Sequence, residues 1–219
     1  MINAVIPIWK PVDWTSFDVV KKIRSLIKPD KVGHAGTLDP FAEGVLMICT
    51  GNKTKSIECF MNQEKEYIGE IIFGNQTDTL DRNGKVVKTS DIPKLDEKQI
   101  QDILADFIGV TMQEPPMYSA LKYYGQPLYK LARMGINLRL KKREIKIYDI
   151  EIHNIMSDRI IIKARCGRGT YMRSLARDIA ISLGTVGHLN SLKRTRIGDI
   201  DEKCCITLKE FPEWLSARI

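Results

Sequence analysis

Apolar residues recur at helical spacing in three segments of the chain, each with polar residues on the opposite face. Such amphipathic stripes are typical of helices that pack one side against a core. Capping and stop residues set the ends of each segment. The predicted helices run from a cap at Thr15 or Ser16 to a stop before Pro29, from Asp96 to Gly109, and from about Thr170 to Gly184.

Other segments show period-two alternation or are rich in β-branched residues, and these predict strands. The predicted strands cover residues 4–9, 45–50, 66–73, 145–152, 159–165 and 194–200. Strands outnumber helices and do not alternate with them regularly. The pattern therefore favours an α+β fold around a mostly antiparallel sheet over a doubly wound parallel one.

Residues 112–142 show no sustained periodicity, and they combine prolines, tyrosines and cations. We expect a long, partly mobile excursion from the sheet. Residues 121–146 hold eight Lys and Arg side chains against the single acid Glu144. Aromatic rings interleaved with cations suit contact with RNA, although tyrosines are also ordinary packing residues.

The composition limits the partners and the cellular location that we expect for the protein. The 219 residues carry a formal net charge of +7, which favours polyanionic partners. The five cysteines form no Cys-x-x-Cys pair and therefore indicate neither a disulfide framework nor a zinc knuckle. A targeting segment and an apolar run of about 20 residues are both absent from the sequence, so we expect a cytoplasmic protein that does not associate with membranes.

The segment 33–46 is the strongest candidate site, because it places one carboxylate, Asp39, in a glycine-punctuated loop. Pro40 restricts its own φ and pushes Asp39 towards extended geometry, which predicts a carboxylate held at a fixed angle. The alternative is an ordinary Asp-Pro turn or a capping carboxylate.

Segment 33–46 fits the pattern Gly-His-x-Gly-x-Leu-Asp-Pro-x-Ala-x-Gly-x-Leu, and on this block together with five others the chain resembles the TruB family of tRNA pseudouridine synthases. The other five blocks are Trp9-Lys10-Pro11, Lys65-Glu66-Tyr67 together with the stretch 74–81, Pro116 to Lys122, Gly169 to Arg173, and Leu189 to Arg194.

The resemblance implies the pseudouridine synthase fold and the isomerisation of uridine-55 in the tRNA T loop, without metal or organic cofactor. It implies that Asp39 is the nucleophile, that Arg173 pairs with Asp39, and that Tyr67 stacks on the uracil and acts on its C5 proton. Attack at uracil C6, attack at ribose C1′ and formation of a glycal all remain open.

For substrate binding, the resemblance implies that His34 helps to drive the target nucleotide from its stack and that further residues line the pocket or contact RNA. These further residues are Lys10, Tyr171, Leu192, Arg194 and Lys122.

We expect one catalytic domain over residues 1–219, with residues 112–142 as a thumb-like RNA-binding insertion and no complete C-terminal PUA domain. The expected partner is the tRNA T arm, bound by a monomer that requires no protein partner. The competing hypotheses are a non-catalytic tRNA-binding or folding chaperone and, through the Gly36-Thr37-Leu38-Asp39 segment, a magnesium-dependent phosphatase.

Overall fold

Helices flank a mixed sheet in this α+β fold. The computed structural model describes residues 2–27 and 31–218. The strands are β1 (Val5–Lys10), β2 (Val32–Ala35), β3 (Glu43–Thr50), β4 (Lys65–Phe73), β5 (Asn75–Thr77), β6 (Val86–Thr89), β7 (Gly109–Gln113), β8 (Lys122–Tyr123), β9 (Gln126–Pro127), β10 (Arg143–Ile155), β11 (Arg159–Cys166), β12 (Gly187–Ile197) and β13 (Ile200–Asp201). The helices are α1 (Ser16–Ile27), α2 (Ile57–Asn62), α3 (Glu97–Ala105), α4 (Leu128–Arg133), α5 (Met172–Ser182) and α6 (Phe211–Ser216).

The chain divides into two compact units, of which the first comprises Met1–Ile68 with Leu192–Ile219 and the second Gly69–Ser191. Strands β4 and β12 each contribute residues to both units.

In the first unit, β3 pairs antiparallel with β1 and β2 and parallel with the end of β12. Alternate residues of β1, such as Ile6 and Ile8, are fully buried, because side chains of a strand point to opposite faces. The apolar stripe of α1 and the ring of Phe211 complete this core. The segment between β2 and β3, residues 36–42, is called the Asp39 loop below.

Helix α1 begins with a reciprocal cap. The Thr15 hydroxyl accepts a 3.0 Å hydrogen bond from the Asp18 backbone amide, and the Asp18 carboxylate accepts a 3.1 Å bond from the Thr15 amide. Two amides that lack a partner inside the helix are satisfied in this way. Of the two predicted caps, Thr15 is therefore the one that caps the helix. The predicted stop before Pro29 lies outside the described residues.

In the second unit, β10 pairs antiparallel with β11 and β7. Strands β5 and β6 form a separate hairpin, as do β8 and β9. Helix α3 begins at Asp96, whose carboxylate accepts a 3.0 Å bond from the Gln99 amide. It buries Ile100 and Leu104.

Three sequence predictions need correction. Helix α3 ends at Ala105 and not at Gly109, because Gly109 already begins β7. The last predicted strand, 194–200, is the end of the longer β12, and Gly198, with a φ of 55°, turns the chain into β13. The excursion does contain regular elements, since β8, β9 and α4 lie within it.

The excursion also starts later than predicted, because Met112 and Gln113 belong to β7. Leu128 and Leu131 of α4 are buried, and their packing orders a segment whose sequence shows no sustained period. Among residues 2–27 and 31–218, no helix combines the length and hydropathy needed to cross a bilayer.

Candidate functional site

The Asp39 loop is a tight turn that leaves the Asp39 side chain partly exposed. The backbone amide of Ala42 donates a 3.1 Å hydrogen bond to the carbonyl oxygen of Asp39. Gly36 opens the loop with a φ of 81°, a conformation that side chains disfavour. The loop therefore presents the carboxylate on a closed backbone turn.

Ser16 fixes the loop on the N-terminal side of Asp39. Its hydroxyl accepts a 2.9 Å hydrogen bond from the amide of Leu38 and donates a 3.2 Å bond to the carbonyl oxygen of the same residue. Both Ser16 and Leu38 are buried. The residue before the candidate nucleophile is thus held by the first turn of α1.

Two donors fix the loop on the C-terminal side of Asp39. The carbonyl oxygen of Pro40 accepts a 2.8 Å bond from the backbone amide of Asp13 and a 3.2 Å bond from the ammonium of Lys10. Asp13 has a φ of 65°, a left-handed conformation that is uncommon for a residue other than glycine. The corner between β1 and α1 therefore positions the residue after Asp39.

Lys10 supports the backbone around the Asp39 loop, and its predicted contact with the substrate remains a prediction. Its side chain is 0 % exposed, and its ammonium also donates to the carbonyl oxygens of Pro11 and Trp14. Burial lowers the pKa of Lys10 to about 8, with the negative charge of Asp39 opposing the shift and the positive charge of Arg194 adding to it.

Arg194 is only 1 % exposed, and its predicted contact with RNA remains a prediction. Its guanidinium donates a 2.7 Å hydrogen bond to the carbonyl oxygen of Val45 and a 3.1 Å bond to that of Gly36. The guanidinium therefore joins β12 to the start of the Asp39 loop.

Gly44 allows β12 to approach β3 at this point. A β-carbon on Gly44 would lie 2.2 Å from the carbonyl oxygen of Arg194, and its φ is 122°. Only glycine fits this position. The requirement gives a physical reason for the last glycine of the 33–46 pattern.

His34 lies on β2, and its Nδ1 atom is buried without a hydrogen-bond partner among the described residues. Burial, together with the nearby charge of Arg194, lowers the pKa of His34 below its usual value. The ring is therefore neutral at physiological pH. Tyr67 on β4 and Leu192 on β12 are both buried in the same unit, and their predicted contacts with the uracil remain predictions.

In the second unit, the candidate arginine lies at the start of α5. The guanidinium of Arg173 donates 3.0 Å hydrogen bonds to the carbonyl oxygens of Thr79 and Tyr118, and it lies 3.5 Å from the Asp81 carboxylate. Only 5 % of Arg173 is exposed. Arg173 and Asp39 belong to different units, so their predicted pairing remains a prediction.

Sequence reasoning placed Asp81 in a matching block but gave it no role. Its carboxylate accepts a 2.8 Å bond from the Thr79 hydroxyl and a 3.0 Å bond from the Asn83 amide. These bonds hold the carboxylate that faces Arg173. In the sequence, the only indication of this role was the second aspartate of the run from Thr77 to Asp81.

Tyr171, directly before α5, is fixed by an exchange of hydrogen bonds with a buried amide. Its backbone amide donates a 2.8 Å bond to the side-chain oxygen of Gln113, whose nitrogen donates a 3.2 Å bond to the Tyr171 carbonyl oxygen. Lys122 is exposed on β8, which fits a side chain that reaches for a polyanion.

A cavity of about 440 Å³ lies between the 114–118 segment, the loop after α4 and the hairpin strand β5. Its lining includes Asp78, Tyr118, Asn137 and Arg177. The Tyr118 hydroxyl lies at 3.5 Å from the Asp78 carboxylate, and burial followed by that negative charge raises the pKa of Tyr118. Within the described ranges, no three His, Cys, Asp or Glu side chains are grouped as metal ligands.

Comparison with known families gives two matches that together span most of the chain. A profile described as "TruB family pseudouridylate synthase (N terminal domain)" matches residues 24–172. A second, described as "tRNA pseudouridylate synthase B C-terminal domain", matches residues 173–218.

Curated relatives carry the name tRNA pseudouridine synthase B. The protein from Francisella tularensis subsp. tularensis is 46% identical over 198 residues, which are 90% of this chain and 66% of that protein. The protein from Clostridium tetani is 43% identical over 212 residues, 97% of this chain and 73% of its own length. The chain thus spans somewhat less than two thirds of the Francisella relative.

Solved structures show the same fold. A chain of a Cbf5-Nop10-Gar1 complex superposes with a TM-score of 0.74 at 28% identity, covering 98% of this chain and 56% of that one. A chain of an H/ACA RNP bound to a substrate RNA containing 2′-deoxyuridine gives 0.71 at 26% identity, covering 98% and 55%.

Proposed function

The chain belongs to the TruB family of pseudouridylate synthases, and from this membership we propose that it converts uridine-55 in the tRNA T loop to pseudouridine. The observation that carries the proposal is the Asp39 loop, whose backbone is held by Ser16 at Leu38, directly before Asp39, and by Lys10 at Pro40, directly after it. The proposed partner is the T arm of tRNA, bound by a cytoplasmic monomer that needs no protein partner.

The proposed reaction is an isomerisation that needs no cofactor. The bond between N1 of uracil and C1′ of the ribose breaks, the base turns, and a bond forms between C5 and C1′ while C5 loses its proton and N1 gains one. Atoms and electrons balance within the nucleotide. Asp39 is the proposed nucleophile or base in this sequence, and the three routes left open by the residues remain open.

Arg173 is proposed to pair with Asp39 inside the pocket, because a guanidinium keeps its charge and binds carboxylates through two parallel hydrogen bonds. Its bonds to two carbonyl oxygens and its 3.5 Å distance to the Asp81 carboxylate would fix its orientation. Tyr67 is proposed to stack on the turned base and to take part in removing the C5 proton.

His34 is proposed to take the place of the nucleotide that leaves the stack. A neutral ring suits this role, because stacking against bases costs less desolvation when the ring carries no charge. The lowered pKa of His34 keeps the ring neutral. The exposed Lys122 and the other cations of the excursion are proposed to contact phosphates, which position the RNA.

The experiment uses an unmodified tRNA transcript tritiated at uracil C5, incubated with the purified protein without added metal. Tritium release together with pseudouridine at position 55 is the expected result. A matched transcript with cytidine at position 55 should release no tritium from that site. Tight binding of both transcripts without release would contradict the proposal and favour a tRNA chaperone.

A further inference from the structure

The corner between β1 and α1 exposes three large apolar side chains within six residues. Val12, Trp14 and Phe17 are 38%, 36% and 54% exposed. Aromatic rings of this size are normally buried, so an exposed pair beside a candidate site indicates a contact surface.

This corner is fixed to the Asp39 loop and not merely close to it in sequence. The Lys10 ammonium donates a 2.6 Å hydrogen bond to the carbonyl oxygen of Trp14 as well as its bond to Pro40. The backbone amide of Asp13, next to Trp14, donates to the same Pro40 carbonyl oxygen. A ligand held at Trp14 would therefore lie beside the residue that follows Asp39.

The charges around the corner select the partner. The Lys21 ammonium lies 4.9 Å from the centre of the Phe17 ring, and Lys22 and Arg24 follow on exposed positions of α1. Asp18 is the acid of the same turn, and its carboxylate is engaged by Thr15 and Lys21. Exposed rings with cations are suited to unpaired bases, because the rings stack on the bases while the cations approach the phosphates.

We propose that Trp14 and Phe17 form a stacking platform for an unpaired base that neighbours the target uridine in the bound RNA. The inference rests on the proposed function for the identity of the RNA. It adds a binding surface at the β1–α1 corner, formed by residues to which the proposed function gives no role.

The test compares Trp14→Ala and Phe17→Ala with Leu26→Ala, which changes an exposed apolar residue of α1. Each aromatic-to-alanine change should weaken binding of the tRNA transcript by about tenfold, since one stacked base contributes on that order. Leu26→Ala should bind as the wild type does. Trp14→Phe and Phe17→Tyr keep an aromatic face and should restore most of the affinity.

Tryptophan fluorescence gives an independent readout. The wild type should show quenching on titration with the transcript, and Trp14→Phe should lose that part of the signal. Circular dichroism of each variant establishes that the protein remains folded. Equal affinities for the alanine variants and Leu26→Ala, with folded proteins, would overturn the platform.

The outcomes separate this inference from the proposed function. A wild type that binds the transcript through Trp14 but releases no tritium contradicts the proposed function alone. A wild type that releases tritium while the alanine variants bind normally contradicts the platform alone. Self-association of the wild type that is lost in Trp14→Ala, with unchanged RNA affinity, would assign the patch to a second copy of the chain and overturn the proposal.

Discussion

The Lys10 ammonium donates a 3.2 Å hydrogen bond to the carbonyl oxygen of Pro40, the residue directly after Asp39. A fully buried cation thus bonds the backbone directly beside the candidate nucleophile. Ser16 holds the residue directly before Asp39 in the same manner. The carboxylate is therefore presented by a loop whose two flanks are hydrogen-bonded to the β1–α1 corner and to α1.

Replacing Lys10 with methionine should destabilise the fold. The change removes an ammonium that donates hydrogen bonds to three carbonyl oxygens. We expect a loss of about 2–4 kcal/mol in the free energy of unfolding at pH 7. Denaturant unfolding measures this loss. The control is Lys21→Met, whose lysine side chain is 62% exposed and which should change stability little.

The stability of the wild type and that of Lys10→Met should depend differently on pH. The pKa of Lys10 is about 8 in the folded chain and 10.5 in the ordinary case, so between these values the unfolded chain holds a proton that the folded chain has released. Rising pH then favours the folded state. The stability advantage of the wild type over Lys10→Met should grow by about 2 kcal/mol from pH 8 to pH 10. A constant difference would contradict the assigned burial.

Ser16→Ala should lower both stability and turnover, because it removes the hydroxyl that bonds both backbone groups of Leu38. We expect a cost of about 1–3 kcal/mol, since a buried amide and carbonyl lose their partner. The matched control is Ser25→Ala on the exposed side of the same helix. If the two variants are equally stable and active, the Ser16 contact does not position the loop.

Gly44→Ala should prevent normal folding. The added β-carbon would lie 2.2 Å from the Arg194 carbonyl oxygen, in a parallel strand pair that cannot separate without losing core contacts. Gly184→Ala provides the comparison, because that glycine also has a positive φ, of 78°, but nothing lies within 4 Å of the added atom. We expect Gly184→Ala to cost about 1 kcal/mol and to remain soluble. Solubility and thermal unfolding distinguish the two.

Arg173→Lys should lose most of its turnover while tRNA binding persists. A lysine cannot reproduce the planar set of donors that reaches Thr79, Tyr118 and the Asp81 carboxylate, and we expect a rate loss of about a hundredfold. Arg177→Lys, one turn further along α5, is the control. Single-turnover tritium release measures both. Unchanged turnover in Arg173→Lys would remove this residue from the catalytic group.

Local patterns in the sequence predicted α1, a cap at Thr15 or Ser16 and the strands that alternate, because each depends on neighbours within a few residues. The Asp39 loop was also identifiable from its glycines. The roles of Lys10 and Arg194 were not, because charged side chains are ordinarily exposed. Arg194 meets Gly36 across 158 residues of sequence. Only the folded chain shows that both cations are buried behind the loop.

The excursion, residues 112–142, contains structure that the sequence pattern did not predict. Among its prolines and tyrosines, the sequence gives no helical pattern for α4, a helix of six residues. The order of this helix depends on the burial of Leu128 and Leu131 and not on a repeated pattern. A short element of this kind has too few turns to produce a period in the sequence. The cavity beside the loop after α4 could not be foreseen for the same reason.

The proposed reaction depends above all on the Asp39 carboxylate. The most direct measurement is tritium release from the C5-labelled transcript by Asp39→Asn, which keeps the size of the side chain and removes its charge. Asp106→Asn, an exposed acid after α3, is the matched control. We expect Asp39→Asn to bind the transcript but to release no tritium above background, whereas Asp106→Asn should behave as the wild type. Release by Asp39→Asn at the wild-type rate would show that this carboxylate is not required for the reaction.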